Sequence, residues 1–125
     1  MHMEPLHFQA RVITGAGRGR KLQVPTLNVD LRDVPAKLED GVFACRILVD
    51  GKEYLGSMHH GPRPTFGDTR SCEVHVIDNV IGQPPATISI EAIAFLRPVA
   101  TFPSPEALTK QMMEDIAQTR DILGA

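Results

Sequence analysis

The sequence has few aromatic residues and no excess of basic ones. Its 125 residues include no tryptophan, one tyrosine and five phenylalanines, and 13 Lys and Arg against 15 Asp and Glu give a formal charge of -2. Proteins that bind single-stranded nucleic acid usually combine a basic groove with several stacking aromatic side chains. The composition therefore argues against nucleic acid as a partner, and any anion site must be local.

Long hydrophobic runs and clustered cysteines are also missing. No apolar run approaches the roughly 18 residues that a membrane span needs, and the N-terminus lacks the layout of a secretory signal. We therefore expect a cytoplasmic protein with no membrane partner. The two cysteines, Cys45 and Cys72, lie in alternating segments and not at metal-ligand spacing, so we interpret them as reduced structural residues.

What the chain does have is a pattern of alternating apolar and polar residues that extends to about Arg97. Segments 41–50 and 52–58 alternate on either side of the dipeptide Asp50-Gly51, which is a strong hairpin signal. The other strand-like segments are 7–14, 71–78 and 86–96. Five or six antiparallel strands joined by short turns tend to close into a barrel, because closure removes exposed strand edges.

One segment near the C-terminus has helical character. Ser104 suits the N-cap, and Pro105 suits the first position of the helix. The apolar stripe that we expect to pack on the barrel comprises Leu108, Met112, Ile116 and Leu123. The sequence thus predicts a single domain over residues 1–125, in which residues 1–7 are a tag remnant or flexible.

The segment GAGRGRKLQVPTLNV, residues 15–29, carries the strongest chemical signal. Glycines that alternate with small or basic residues let the backbone approach a negatively charged group. The segment is not a P-loop, because no hydroxyl residue follows Lys21, and Pro25 excludes the helix of a dinucleotide fingerprint. Extended geometry places Thr26 and Asn28 on one face, where their oxygens could share Mg²⁺ with bound phosphates. A solvated turn is the alternative for the glycines and cations.

Four blocks of the chain together resemble the riboflavin kinase family, which includes the kinase module of bacterial bifunctional FAD synthetases. In order they are GRGRKLQVPTLN, GVFACRILVDGKEYLGSMHHGPRPTFG, EVHVID and FLRPVATF, followed by a helix with DIAQTR. The resemblance implies an all-β fold with a C-terminal helix, a six-stranded antiparallel Greek-key barrel. It also implies an enzyme that transfers the γ-phosphate of ATP to the 5'-hydroxyl of riboflavin, producing FMN and ADP with Mg²⁺ as cofactor.

The resemblance assigns the ATP end of the site. It places Thr26 and Asn28 on Mg²⁺ and the phosphates. It places Gly17, Gly19 and Lys21 in the loop that covers ATP.

The resemblance also assigns the catalytic and flavin ends. Glu73 corresponds to the catalytic carboxylate that acts as general base, while Arg97 and Phe102 correspond to flavin contacts. His75 shares a strand face with Glu73, so it could orient that carboxylate or serve as a hydrogen-bonded barrel residue. From the residues alone, Glu73 could equally be an exposed strand residue.

The chain departs from the usual family pattern at several positions. Gln23 stands where glycine is usual, and Ile81 stands where a tyrosine is common. The adjacent His59 and His60 replace the Asn-Ile that often precedes Gly61. Adjacent side chains on an extended segment point to opposite sides, which argues against a shared metal site.

Two other functions compete with the kinase. A catalytically impaired flavin-binding module on the same barrel would bind riboflavin without consuming ATP. A small barrel that binds single-stranded nucleic acid is ranked last, because the chain has too few aromatic residues. The expected partners are riboflavin or FMN and ATP or ADP, and if the chain is an excised module, an FMN adenylyltransferase domain is a missing partner.

Overall fold

The computed structural model describes residues 2–13, 26–63, 69–78 and 83–124. Within these ranges the chain forms a barrel of six strands and one long helix. The elements are β1 (His2–Ile13), β2 (Thr26–Val29), β3 (Gly41–Val49), β4 (Lys52–Arg63), β5 (Thr69–Val76), β6 (Thr87–Arg97) and α1 (Pro105–Leu123), with a short 3-10 turn at Leu31–Asp33.

The strands are all antiparallel and close in the order β1-β2-β5-β4-β3-β6. Strands β3, β4 and β5 follow one another as neighbours, and β2 lies beside β5, which is a Greek-key arrangement. The predicted six-stranded barrel with a C-terminal helix is therefore confirmed.

The β3–β4 connection has the geometry that its dipeptide predicts. Asp50 and Gly51 both have positive φ, at 48° and 81°, and Val49 is paired directly with Lys52. Two central residues with positive φ form a type I′ turn, whose twist matches that of the flanking strands. The hairpin prediction is confirmed.

The barrel interior is filled by apolar side chains from alternate strand positions. The largest fully buried ones include Ile47, Met58, Ile90, Val29 and Val74. A small barrel encloses just enough space for its own side chains. Polar groups that have to reach a ligand must therefore lie on the outer wall of the barrel or at its ends.

Both cysteines belong to this interior. Cys45 and Cys72 are free and buried, and the Sγ of Cys45 lies 3.6 Å from the carbonyl oxygen of Phe43. Burial raises the pKa of the Cys45 thiol well above its usual range and raises the pKa of Cys72 to about 12.

Strand β6 is irregular at its C-terminal end. Ala92 lies opposite Cys45, whereas Arg97 lies opposite Val42, so residues 92–97 oppose the shorter run 42–45 of β3. Each extra residue in one strand of a pair is a β-bulge, which re-aims the side chains that follow it. The two bulges leave Phe95 against the core and turn Arg97 to the outer wall, where it contacts α1.

Helix α1 begins as its sequence predicts and ends at a glycine. The Oγ of Ser104 accepts a hydrogen bond from the backbone N–H of Ala107 at 3.1 Å. Gly124 ends the helix in the left-handed conformation, at φ 72°.

The buried face of α1 differs from the predicted apolar stripe. Met112 is buried, but Leu108, Ile116 and Leu123 are only half-buried. The other fully buried positions of the helix are polar, namely Asp115 and Thr119. The helix therefore packs on the barrel through a mixed surface and not through an apolar stripe alone.

Residues 2–7 form the first half of strand β1. It stays a prediction that residues 1–7 are a tag remnant or flexible, and that residues 1–125 form a single domain. Of the helices in the part of the chain that the structure describes, none has the length and apolar character to cross a membrane.

Substitution of Gly56, in the middle of β4, tests the packing of the interior. A Cβ at this position would lie 2.4 Å from Cδ1 of Ile47 and 2.8 Å from Cγ1 of Val74. We expect Gly56→Ala to lower the free energy of unfolding by about 1–3 kcal/mol through overpacking. Urea denaturation measures the change, and Glu53→Ala on the same strand, with its side chain exposed, should stay within about 0.5 kcal/mol of the parent. Equal stability of Gly56→Ala and the parent would contradict the described packing.

Thiol labelling tests the burial of the cysteines. The thiolate is the reactive form, and the raised pKa values keep both thiols neutral at pH 8. Ellman's reagent should therefore react with neither cysteine in the folded protein within minutes. In denaturant it should react with both of the two cysteines. Rapid labelling of the folded chain would show that the interior is open.

Candidate active site

One row of paired residues crosses the outer wall of the barrel. Asn28 of β2 lies directly opposite Glu73 of β5, and Glu73 lies directly opposite His59 of β4. The row continues through Val42 of β3 to Arg97 of β6. Directly opposed residues of antiparallel strands have Cβ atoms about 4.5–5.5 Å apart. The closed barrel thus brings Asn28 and Glu73, distant in sequence, within one side-chain length.

Glu73 is buried on this wall, with 7% of its surface exposed. The neighbouring residues of β5, Cys72 and Val74, point into the core at 1% and 0% exposure. The alternation predicted for this strand is therefore present, but the outward side is covered as well. A carboxylate removed from water in this way is one that a substrate hydroxyl could approach without competing solvent.

A second row runs parallel to the first. Thr26 lies opposite His75, and His75 lies opposite Ser57. Thr26, Asn28 and His75 are half-buried, while Ser57 is almost fully buried. Thr26 and Asn28 are two positions apart on β2, so both side chains lie on the same face as Glu73 and His75. Leu27, between them, points into the core at 5% exposure.

Ion pairs hold the chain at the end of the short strand β2. Arg11 of β1 donates to Asp33 from its backbone N–H at 2.8 Å and from Nε at 2.9 Å. The Arg11 guanidinium lowers the pKa of the Asp33 carboxyl through these hydrogen bonds. Asp30 caps the 3-10 turn by accepting from the backbone N–H of Arg32 at 2.9 Å. These contacts fix the segment that carries Thr26 and Asn28 against β1.

The donor set on this wall suits a hard cation with oxygen ligands. Thr26 and Asn28 offer a hydroxyl and an amide oxygen, and Glu73 offers a carboxylate nearby. Mg²⁺ keeps several waters and takes few protein ligands when it bridges phosphates. Among the described residues, no group of three or more His, Cys, Asp or Glu side chains forms a metal site. The hydroxyl of Thr26 and the amide oxygen of Asn28 fit the chemistry of a Mg²⁺ site, and their role as metal ligands stays a prediction.

Arg97 and Phe102 come together at the other end of the row. The Arg97 guanidinium lies 5.6 Å from the centre of the Phe102 ring. It also donates to Asp115 of α1 in a bidentate pair, from Nε to Oδ1 and from NH2 to Oδ2, each at 2.9 Å. The partner that the structure gives Arg97 is thus Asp115, and its contact with a flavin stays a prediction.

The Asp115 carboxylate has further partners on its own helix. Gln111 donates from Nε2 to Oδ1 at 3.1 Å. The Thr119 hydroxyl donates to the backbone carbonyl of Asp115 at 2.8 Å. The side chain of Asp115 is 4% exposed and that of Arg97 is 19% exposed, so this is a largely buried, hydrogen-bonded charge pair.

The two ends of the predicted site are separated along the wall. Glu73 and Arg97 lie three strands apart in the row, which corresponds to about 14 Å at the usual strand spacing. An elongated substrate could therefore place one end beside Phe102 and the other beside Glu73. Gly17, Gly19 and Lys21 lie outside the described residues, and their predicted contacts with ATP stay predictions.

Asp115 of α1 and His59 of β4 are two residues beside the predicted site to which sequence reasoning gave no role in it. Asp115 stands three residues after Met112 in α1, a spacing that places both on one helix face. That spacing was a usable signal for a buried polar contact. His59 had no such signal, because its position opposite Glu73 depends on how β4 pairs with β5.

Comparisons with known proteins identify the family of the chain. The family model described as riboflavin kinase (flavokinase) matches residues 2–123. A bifunctional riboflavin kinase/FMN adenylyltransferase of Bacillus subtilis is 34% identical over 119 residues, which is 90% of this chain. The chain spans 37% of the length of that relative.

Two solved structures share the fold. Riboflavin kinase from Trypanosoma brucei superposes with a TM-score of 0.69 at 21% identity, covering 98% of this chain and 82% of its own. A structure described as a macrolide-efflux protein from Streptococcus pneumoniae superposes with a TM-score of 0.80 at 26% identity, covering 93% of this chain and 38% of its own. That match covers only 38% of the Streptococcus protein, so it concerns the fold of one part of that protein.

Two Arg–Asp pairs tie α1 to the barrel, and comparing them tests the role of burial. We expect Asp115→Ala to lower the free energy of unfolding by about 3 kcal/mol or more, because it leaves the Arg97 guanidinium buried without its partner. Asp78→Ala, which removes the exposed partner of Arg120, should cost less than about 1 kcal/mol. Denaturant unfolding measures both. A loss in Asp115→Ala no larger than that in Asp78→Ala would contradict the anchoring role of the buried pair.

Proposed function

The chain belongs to the riboflavin kinase family, and on that premise we propose that it transfers the γ-phosphate of ATP to the 5'-hydroxyl of riboflavin, forming FMN and ADP. The observation that carries the proposal is the pairing of a buried carboxylate, Glu73, with Asn28 across β5 and β2. This pairing places a candidate general base beside a candidate ligand of the metal ion that accompanies the nucleotide.

Glu73 acts as the general base in this proposal. Its carboxylate accepts the proton of the 5'-hydroxyl as the hydroxyl oxygen bonds to the γ-phosphorus. The bond between the γ-phosphorus and its bridging oxygen breaks, and ADP leaves with the electron pair. Phosphoryl transfer asks a protein mainly to position its reactants and to neutralise charge, so a single well-placed carboxylate is sufficient for the proton.

Thr26 and Asn28 hold the phosphate end in place. They would ligate Mg²⁺ through the hydroxyl and amide oxygens. When bound, Mg²⁺ supplies neutralisation of the phosphate charge. Both ligands are only half-buried, so a nucleotide could reach them from the outer wall.

The flavin end lies at Phe102 in this proposal. The ring of Phe102 offers an aromatic face, and the pairing of Arg97 with Asp115 holds the guanidinium beside it. Because Asp115 offsets the charge of Arg97, the surface beside Phe102 can accept an uncharged ring system. The ribityl chain of riboflavin would then extend along the wall toward Glu73.

The adenylyltransferase activity named for the Bacillus relative concerns a protein of which this chain spans about a third. We propose that, if the chain is an excised module, a domain with that activity is its partner. Mg²⁺ dependence and a cytoplasmic location are further parts of the proposal.

Incubation with riboflavin, ATP and Mg²⁺, followed by chromatography of the product, tests the function. The unaltered protein should form FMN. Glu73→Gln should lose about 10²-fold or more in kcat while it retains riboflavin binding, because the amide cannot accept the proton. Glu53→Gln, on an exposed position of β4, is the matched control and should retain full activity.

The outcomes separate the two leading functions. Quenching of riboflavin fluorescence without FMN formation would overturn the kinase and favour the flavin-binding module. Full activity of Glu73→Gln would keep the kinase and overturn the assignment of the base.

A further inference from the structure

We infer that His59 positions the carboxylate of Glu73 for catalysis, an inference that rests on the proposed function. His59 is a positioning residue here and not a catalytic one, because it acts through Glu73. Neither the family match nor the names of the relatives assign a role to this position.

The pairing of β4 with β5 carries the inference. His59 is the directly opposed partner of Glu73, and the pairing is continuous through His60 and Cys72 on one side and Met58 and Val74 on the other. An unbroken register leaves no bulge that could turn either side chain away. The two side chains therefore leave the sheet side by side, with Cβ atoms about 4.5–5.5 Å apart.

The burial of Glu73 makes this neighbour important. Glu73 is 7% exposed, so its carboxylate cannot rely on bulk water to hold it in one orientation. Asn28 adjoins it from β2 and His59 from β4. Asn28 is the proposed Mg²⁺ ligand, and His75 lies two positions along β5, where it is opposite Thr26 and Ser57. We therefore assign the orienting role to His59, the residue directly opposite Glu73 on β4. An imidazole carries a ring N–H in either neutral tautomer, so it can donate to an adjacent carboxylate oxygen.

The adjacent His60 provides a contrast. It faces the opposite side of β4, and its Nδ1 lies 3.0 Å from the carbonyl oxygen of Glu39. Its ring also approaches Asp40, at 3.9 Å. The side chain of His60 thus lies at the end of the barrel near Gly61, whereas that of His59 lies on the outer wall. Substitutions of His60 therefore serve as controls for substitutions of His59, because only His59 has the proposed positioning role.

A mutant series in the FMN assay tests the inference. His59→Ala and His59→Leu remove the donor, and the leucine also fills the space if the alanine variant loses stability. We expect each to lower kcat about 10-fold or more with little change in the KM for riboflavin, because a misplaced base slows the chemical step. His59→Asn restores an N–H donor and should recover most of the activity. His60→Asn is the matched control and should keep the parent kcat.

A double-mutant cycle separates positioning from mere structural support. If His59 acts through Glu73, His59→Leu should have no further effect on kcat in a Glu73→Gln background. An equal loss in both backgrounds would overturn the inference, as would parent-like kcat in both donor-free variants. Those results would leave the kinase proposal in place. Failure of the unaltered protein to form FMN would instead overturn the proposed function, and the inference with it.

Discussion

The interior of this barrel is full, and the arrangement of the rest of the molecule depends on that constraint. Ile47, Met58 and Ile90 occupy the axis without exposure to solvent, as is usual for a closed sheet of few strands. No ligand can enter such a core. Functional groups must therefore stand at the ends of the barrel or on its outer wall, where alternate residues of each strand point away from the core.

Helix α1 supplies cover over β3 and β4, and its attachment depends on the pair formed by Arg97 and Asp115. Bulges in β6 turn Arg97 outward so that the pair can form. The same guanidinium lies against Phe102, which links the attachment of the helix to the proposed flavin end. The attachment of α1 and the proposed flavin binding thus share one contact, and changes in α1 should affect both.

Much of the architecture could be predicted because its causes are local. The dipeptide Asp50-Gly51 adopts positive φ wherever it occurs in a tight hairpin, and Ser104 caps whatever helix follows it. The alternation of inward and outward residues around Glu73 follows from strand geometry alone. The sequence therefore indicated that Glu73 faces away from the core, but not which residues of other strands lie beside it. The predicted apolar stripe of α1 was only partly correct. Whether Ile116 or Asp115 is the buried residue depends on which partner the barrel presents.

The sequence by itself determined the periodicity of the strands, the hairpin turn and the N-cap of the helix, since each follows from the dihedral preferences and burial of a few adjacent residues. Its resemblance to a family added the identities of the candidate site residues but not their neighbours. Only the tertiary structure decided that Asn28, Glu73 and His59 share one row, because the register of strands far apart in the chain is set when the barrel closes. It likewise decided that Asp115 is buried, since a carboxylate leaves water there only to meet the guanidinium that the bulges of β6 present.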